Sequence, residues 1–393
     1  MKRIPLLLCA LLAAGAALGQ TARTVLGPYL QEVTSDGFTV VWTTDRDAVA
    51  WVEVAPDDST HFYAAPRPRH YDSHLGRHRI SRLHRVRVEG LRPGQRCRYR
   101  IVQQAALDDR GKTRLGEVSG MDVYRRNPYP AATLDPSRPQ TDFWVVNDIH
   151  GRDSLLRLLL GDAARERPDF ICLNGDMTSS MESEEQLARG YLTTLSRLLS
   201  PAGIPLFFVR GNHEARGSFA DRFCDYFPSP TGLPYYTFRQ GPVFFVVLDG
   251  GEDKPDEDLA YGGLAAYDAY RQQQAEWLRG VIRSDAFRTA PYRIVLMHML
   301  PADGRSWHGE QQIGRLFVPL LNGANIDLML SGHYHRYGLY EPGTRGTDFP
   351  VLVNSNSDRL CVSAAADGIR VRVIDPAGKA LHEHLFAPRK AAR

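Results

Sequence analysis

Two patterns of apolar and polar positions divide this chain. From about residue 22 to 125, short runs rich in β-branched and aromatic residues recur between turns, at 38–43, 51–54, 85–88 and 98–101. Within one of them Val86 and Val88 alternate with Arg85 and Arg87, the period of a strand with one face in the core and one in water. Gly90-Leu91-Arg92-Pro93-Gly94 is a turn between two such runs. With no helical stretch among them, the runs predict a β-sandwich of roughly seven strands over residues 22–126.

Residues 127–140, rich in proline and small polar residues, read as a linker. Beyond it the pattern changes. Residues 143–146, 170–173, 206–209, 244–248, 294–297 and 328–330 are apolar runs of buried-strand length, and 154–167 and 264–282 carry helical periodicity. Residues 368–385 close the chain as a hairpin around Asp375-Pro376-Ala377-Gly378. Strands alternating with helices predict an α/β layered domain over residues 138–393, with mixed sheets.

The first residues follow neither pattern. Lys2 and Arg3 precede an almost wholly apolar run, 4–18, and Ala17-Leu18-Gly19 places small residues where a signal peptidase cuts. Residues 1–19 therefore read as a signal peptide. The run falls short of the ~20 residues that span a bilayer, and no other run is long enough. Cys9 follows Leu8 rather than a small residue, which argues against a lipid anchor. The expectation is an exported protein, periplasmic or extracellular, with no membrane span.

Composition adds little beyond exclusions. The 393 residues are 43% hydrophobic and 24% charged, as in a folded globular protein, and the net charge of +3 lacks the basic excess of a nucleic-acid binder. Residues 67–100 hold eleven arginines against two acids, Asp72 and Glu89, which reads as solvated strand faces before it reads as an anion-attracting patch. After the leader four cysteines remain, Cys97, Cys172, Cys224 and Cys361, too scattered for a disulfide framework and expected mostly as buried free thiols, with one bridge left open.

The chemistry lies directly after the apolar runs. Asp148-Ile149-His150, Gly175-Asp176, Gly211-Asn212-His213-Glu214, His298 and Gly332-His333-Tyr334-His335 each follow one. The carboxyl ends of strands in an α/β domain are where ligands and catalytic groups collect, so five strands would deliver these residues to one rim. A lone buried histidine is more often a hydrogen-bonded core residue than a ligand; five such motifs at five strand ends are not accounted for that way. Asp and His together favour zinc, iron or manganese over calcium or magnesium. Asp148 and His150, like His333 and His335, are two apart and would face one side of an extended segment, aimed at one site or at two adjacent metals. The set is too large for one tetrahedral ion and suits a pair ~3.5–4 Å apart. Two divalent ions, two aspartates and a hydroxide leave about one positive charge, which suits an anionic phosphate.

In these motifs the chain resembles the calcineurin-like metallophosphoesterases, whose pattern is Asp-x-His, Gly-Asp, Gly-Asn-His-Asp/Glu, His and Gly-His-x-His. The resemblance covers residues 140–393 and implies a four-layer αββα fold. It further implies one metal held by Asp148, His150 and His335, another held by Asn212, His298 and His333, and Asp176 bridging them. His213 would be the acid near the leaving group, oriented by Glu214 or another carboxylate, a role that protonation of an alkoxide requires. The front domain, with Gly27-Pro28-Tyr29-Leu30-Gln31, Thr39-Val40-Val41-Trp42, Leu91-Arg92-Pro93-Gly94 and Tyr99, is similar to the fibronectin type III-like domain that precedes purple acid phosphatases. His150 stands where the purple enzymes carry a non-ligand and Ser179 where they carry a tyrosine ligand, so the ferric state and the colour are not expected. Met177-Thr178-Ser179 replaces the Asp-Arg-Gly continuation of the protein serine/threonine phosphatases.

The expected activity is hydrolysis of small-molecule phosphate esters, foremost monoesters, by a metal-bridging hydroxide on two divalent ions of Fe, Mn or Zn. The alternatives are a phosphodiesterase or nucleotidase on the same site and, from another class, a non-catalytic envelope binding protein that uses the β-sandwich. Trp307 and His308 read as a surface loop, and 252–258, with five acids and one lysine, as a solvated loop beside the site. Asn354 and Asn356 follow a late strand near the metals without a catalytic role.

Overall fold

Period-two burial organises the front of the chain in the computed structural model, which describes residues 21–108, 111–302 and 306–388. The leader expected at 1–19 lies outside these residues. Seven strands form one connected antiparallel sheet: β1 (Thr24–Gln31), β2 (Phe38–Pro56), β3 (Arg69–Tyr71), β4 (Ser81–Val88), β5 (Arg96–Asp108), β6 (Arg114–Gly120) and β7 (Tyr129–Ala132). The runs at 38–43 and 51–54 belong to a single 19-residue strand, β2. Its first half pairs with β1 and β4 and its second half with β3 and β5. A register shift between Thr43 and Ala48 marks the change of partners. The expected linker at 127–140 contains β7, which pairs with β5 from Arg96↔Ala132 to Tyr99↔Tyr129. Proline there did not prevent pairing, because β7 sits at an edge.

The arginines at 67–100 are largely neutralised within the fold. Arg69 and Arg100 share the buried Glu53, Arg96 and Arg98 pair with Asp57 and Asp58, and Arg87 lies between Asp36 and Glu89. Arg85 reaches across to Asp225 at 3.0 Å, and the Tyr29 hydroxyl donates to the Tyr226 carbonyl at 2.9 Å, so the front sheet is tied to the second part of the chain. Cys97, Cys172, Cys224 and Cys361 are free thiols, and all but Cys224 are buried.

The second part holds two six-stranded sheets. One has the order β10-β9-β8-β17-β18-β19, from Thr141–Val146 (β8), Phe170–Asn174 (β9), Leu206–Val209 (β10), Arg359–Ala365 (β17), Gly368–Ile374 (β18) and Ala380–Phe386 (β19). The other has the order β11-β12-β13-β14-β16-β15, from Tyr236–Gln240 (β11), Val243–Val247 (β12), Tyr292–Leu296 (β13), Leu328–Ser331 (β14), Gly338–Tyr340 (β15) and Val351–Val353 (β16). Strands β8, β9 and β10 run parallel, as do β12, β13, β14 and β16.

Alternation along β8 shows how the layers form. Phe143 and Val145 enter the core between the sheets with Phe170, Phe245 and Leu296. Trp144 and Val146 point the other way, onto α1 (Asp153–Leu160) and α2 (Thr193–Leu199) through Leu156, Leu159 and Leu195. The outer face of the second sheet packs on α3 (Tyr267–Arg283) and α4 (His308–Leu316) through Leu278, Ile313 and Phe317. Each such side chain stabilises the fold by about 1.5–3 kcal/mol when fully buried. The result is the expected αββα order of layers. No helix among the described residues is long and apolar enough to cross a membrane.

Candidate metal centre

Parallel strands bring their carboxyl ends to one rim, and each motif begins there. Asp148 and His150 follow β8, Asp176 follows β9, Asn212, His213 and Glu214 follow β10, His298 follows β13, and His333 and His335 follow β14. Their nitrogen and oxygen atoms form three overlapping groups: Asp148, His150 and His335; His150, Asp176 and His213; Asp176, His298 and His333. Asp176 belongs to two of them.

The paired motifs are not extended. Asp148, His150, Asp176, His333 and His335 all have left-handed backbone, with φ from +48° to +70°. This conformation costs non-glycine residues on the order of 1–3 kcal/mol each and persists only where surrounding bonds fix it. Here the first two loops are laced together: Asp148 N donates to Gly175 O at 2.9 Å and His150 N to Asp176 O at 3.0 Å. Tight turns, rather than strand alternation, place both members of each pair on the rim.

Glycine makes the convergence close. A Cβ on Gly175, itself at φ +83°, would lie 2.4 Å from His298 Nδ1, and one on Gly211 would lie 2.2 Å from Asp176 Oδ1. The motif glycines are therefore spaces into which the ligand side chains pack.

Hydrogen bonds set which atom of each ring faces inward. His298 Nδ1 donates to Asn174 O at 2.7 Å, which leaves Nε2 bare, 3.0 Å from Asp176 Oδ2. His335 Nε2 is 3.1 Å from Asp148 Oδ1 and 3.3 Å from His150 Nε2. Asn212 Oδ1 is 3.1 Å from His333 Nδ1. Asp148 Oδ1 and His298 Nε2 are buried yet complete no hydrogen bond. Close approach of several lone-pair atoms, two of them buried and without a hydrogen bond, is the arrangement of a metal-ligand cluster, and nitrogen with carboxylate oxygen is a transition-metal donor set. The residues present thus fit divalent ions.

The charges agree. Burial alone would raise the Asp176 carboxyl, but His298 and His213 beside it hold it well below the ordinary carboxylate range. Burial, reinforced by His298, pushes His333 down to about 4, so this imidazole is neutral, as a ligand must be.

His213 and Glu214 part company. His213 Nδ1 donates to the Ser179 carbonyl at 2.8 Å, and its Nε2 lies 3.8 Å from Asp176 Oδ2. Glu214 does not orient it. The Glu214 carboxylate is fully buried and accepts the main-chain N–H groups of Asp176 (2.8 Å), Met177 (2.7 Å) and Gly211 (2.9 Å). With Thr178 N at 3.3 Å, four converging N–H groups hold it beneath the Asp176 loop, and none of its hydrogen bonds goes to the imidazole it was expected to steer. Burial and the Asp176 charge push it up to about 7 against those bonds.

Residues 141–337, half of the chain, match the family model for calcineurin-like phosphoesterases. The chain belongs to that family. Purple acid phosphatase 21 of Arabidopsis thaliana is 25% identical over 224 residues, covering 53% of this chain and 46% of that protein. Serine/threonine-protein phosphatase CPPED1 of Homo sapiens is 25% identical over 185 residues, covering 43% of this chain and 54% of that protein. The chain thus spans about half the length of the curated relatives it matches. A dimetal phosphatase structure from Danio rerio aligns with 64% of this chain and all of that one, at 16% identity and a TM-score of 0.48. Calcineurin-like phosphoesterases use divalent metals, and the Asp and His clusters here can hold them.

Several residues of this calcineurin-like phosphoesterase lie outside its family motifs. Asn147 donates to Asp148 Oδ2 at 2.6 Å and is itself held by Asn354 Nδ2 at 2.8 Å, which explains why Asn354 lies near the centre without entering it. Ser179 touches two rings: its hydroxyl is 3.2 Å from His150 Nδ1, while its carbonyl holds His213. Of the acidic loop, Glu252 and Asp253 are buried rather than solvated. They grip Arg216, whose Nη1 is 3.3 Å from His213 Nε2. Trp307 is exposed as expected, but His308 opens α4 and pairs with Asp268 at 2.8 Å. Asn147 and Arg216 carry no sequence signal, because each is held by a partner distant along the chain, Asn354 for the first and Glu252 for the second.

Proposed function

We propose that this chain hydrolyses phosphate esters, foremost monoesters, with two divalent transition ions, and that it does so outside the cytoplasm. The observation that carries the reading is the chain of three overlapping clusters, two of which share Asp176, with His213 in the middle one and its Nδ1 held by a main-chain carbonyl. Asp148, His150 and His335 would hold one ion, Asn212, His298 and His333 the other, and Asp176 both. The ions, when bound, supply positive charge for the phosphoryl oxygens and acidify the attacking water.

The chain's own residues do the rest. With its Nδ1 proton committed to Ser179 O, His213 presents Nε2 to the reacting group; as the imidazolium it delivers its Nε2 proton to a departing alkoxide and is left as the neutral Nδ1–H ring. Arg216, gripped by Glu252 and Asp253, sets a guanidinium group 3.3 Å from Nε2 of that ring. Glu214 keeps the Asp176 loop in its left-handed turn. The charged start and apolar run of residues 1–19 support export.

Assay of the purified protein with nitrophenyl mono- and diesters, after loading with Mn²⁺, Fe²⁺ or Zn²⁺, tests the reading. Faster monoester turnover that needs added metal is expected. A diester preference would turn the reading toward the phosphodiesterases, and no turnover with any metal would overturn it.

A further inference from the structure

Glu310 is a polar group beside the centre that no motif accounts for. It sits in the first turn of α4, is 1% exposed, and neither carboxylate oxygen completes a hydrogen bond. An unpaired carboxylate is costly to bury and calls for a donor. The ring of His333 is beside it, with Nε2 3.7 Å from Glu310 Oε1. The other nitrogen of that ring, Nδ1, is the one 3.1 Å from Asn212 Oδ1, on the side of Asp176 and His298. His333 thus has one nitrogen toward the cluster and one toward Glu310.

Its other polar neighbours, the Tyr334 and Ser306 hydroxyls and the Trp307 main chain, ease its charge without completing a hydrogen bond. Arg345 lies over the Tyr340 ring at 4.2 Å and donates to the Tyr334 hydroxyl at 3.3 Å, and the Ser306 hydroxyl is also without a completed bond. The helix that carries Glu310 is anchored. Ile313 and Phe317 are fully buried, and Gly309 N donates to Asp253 O at 2.8 Å.

A metal-ligating imidazole commonly gives its second N–H to a carboxylate, which fixes its tautomer and orientation. We propose that Glu310 is the positioning residue for His333, accepting its Nε2 proton so that Nδ1 keeps a lone pair for the metal. The site of Asp176, Asn212, His298 and His333 then depends on Glu310, whereas that of Asp148, His150 and His335 does not. This inference rests on the binuclear reading above.

Metal-free wild type, E310Q and E310A, titrated with Zn²⁺ alone under equilibrium dialysis, test both. Wild type should bind two ions. E310A should bind one of them about 10–100-fold more weakly and keep the other unchanged, with E310Q intermediate because its amide oxygen can still accept the proton. In the zinc-loaded wild type, NMR should show a slowly exchanging His333 Nε2–H that E310A lacks. Folded variants that bind both ions as wild type does, or lose both equally, overturn the role of Glu310. If E310A does not fold, E310Q decides alone by the same comparison. A wild type that binds a single ion overturns the binuclear reading instead.

Discussion

The Nδ1 atom of His213 donates to the main-chain carbonyl of Ser179 at 2.8 Å, so a backbone atom rather than a carboxylate orients the proposed acid. A carbonyl can only accept, and the tautomer is fixed whatever side chain residue 179 carries. Ser179 also faces His150 through its hydroxyl, which couples the proposed acid to a proposed ligand through one residue.

That relationship separates two variants. His213→Ala should keep both ions and slow turnover by ~10²–10⁴-fold, least for an ester with a good leaving group such as nitrophenolate. Asp176→Asn takes a charge from the residue common to two clusters and should empty at least one site. Metal analysis beside a leaving-group series distinguishes them. Loss of metal from His213→Ala, or equal slowing of all esters, would sink the acid assignment.

Glu214→Gln should act on structure. The amide places a donor against main-chain N–H groups that now meet a carboxylate, an uncompensated clash worth about 1–3 kcal/mol. A lower melting temperature in metal-free protein, with weaker metal retention and an equal rate loss for all esters, is the expected outcome. A selective loss on poor leaving groups would instead restore Glu214 as the partner of His213.

Loaded with iron, the protein should contain close to two ions per chain and show no intense visible charge-transfer band. Ser179 offers no phenolate, and the Tyr334 hydroxyl accepts from Arg345 at 3.3 Å. Elemental analysis and an absorption spectrum check both points; a purple band would mean that a tyrosine enters the site.

His84 predicts an acid-sensitive front domain. It is fully buried beside Trp42, with ring centroids 5.1 Å apart, and burial pushes it down to about 3 from 6.5. Between those values the unfolded chain binds a proton that the folded protein does not, so stability is intact above pH 6.5 and falls as pH falls. The linkage is about 1.4 kcal/mol per pH unit, or roughly 2 kcal/mol between pH 6.5 and 5. Denaturant titrations followed by tryptophan fluorescence at the two pH values should show the difference, and His84→Gln should reduce it. An unchanged slope in that variant would assign the acid sensitivity elsewhere.

Much of the architecture was written in the order of residues. Apolar runs at 143–146, 170–173 and 206–209 became β8, β9 and β10, because a parallel strand buried on both faces needs a continuous apolar segment. The motifs after them were legible for the same reason: a polar residue directly beyond such a run can only emerge at the strand end. Charge, composition and spacing could not go further. The sequence did not disclose that β2 serves two sets of partners, that 129–132 pairs as a strand, or that Asp148, His150, Asp176, His333 and His335 turn through left-handed backbone. Those outcomes follow from hydrogen bonds between segments far apart in the chain, which override local preference. Tertiary structure also decided the roles of Glu214, Arg216, Glu252 and Glu310. A carboxylate's function depends on which donor reaches it, and that donor is chosen by packing, not by the neighbouring letters.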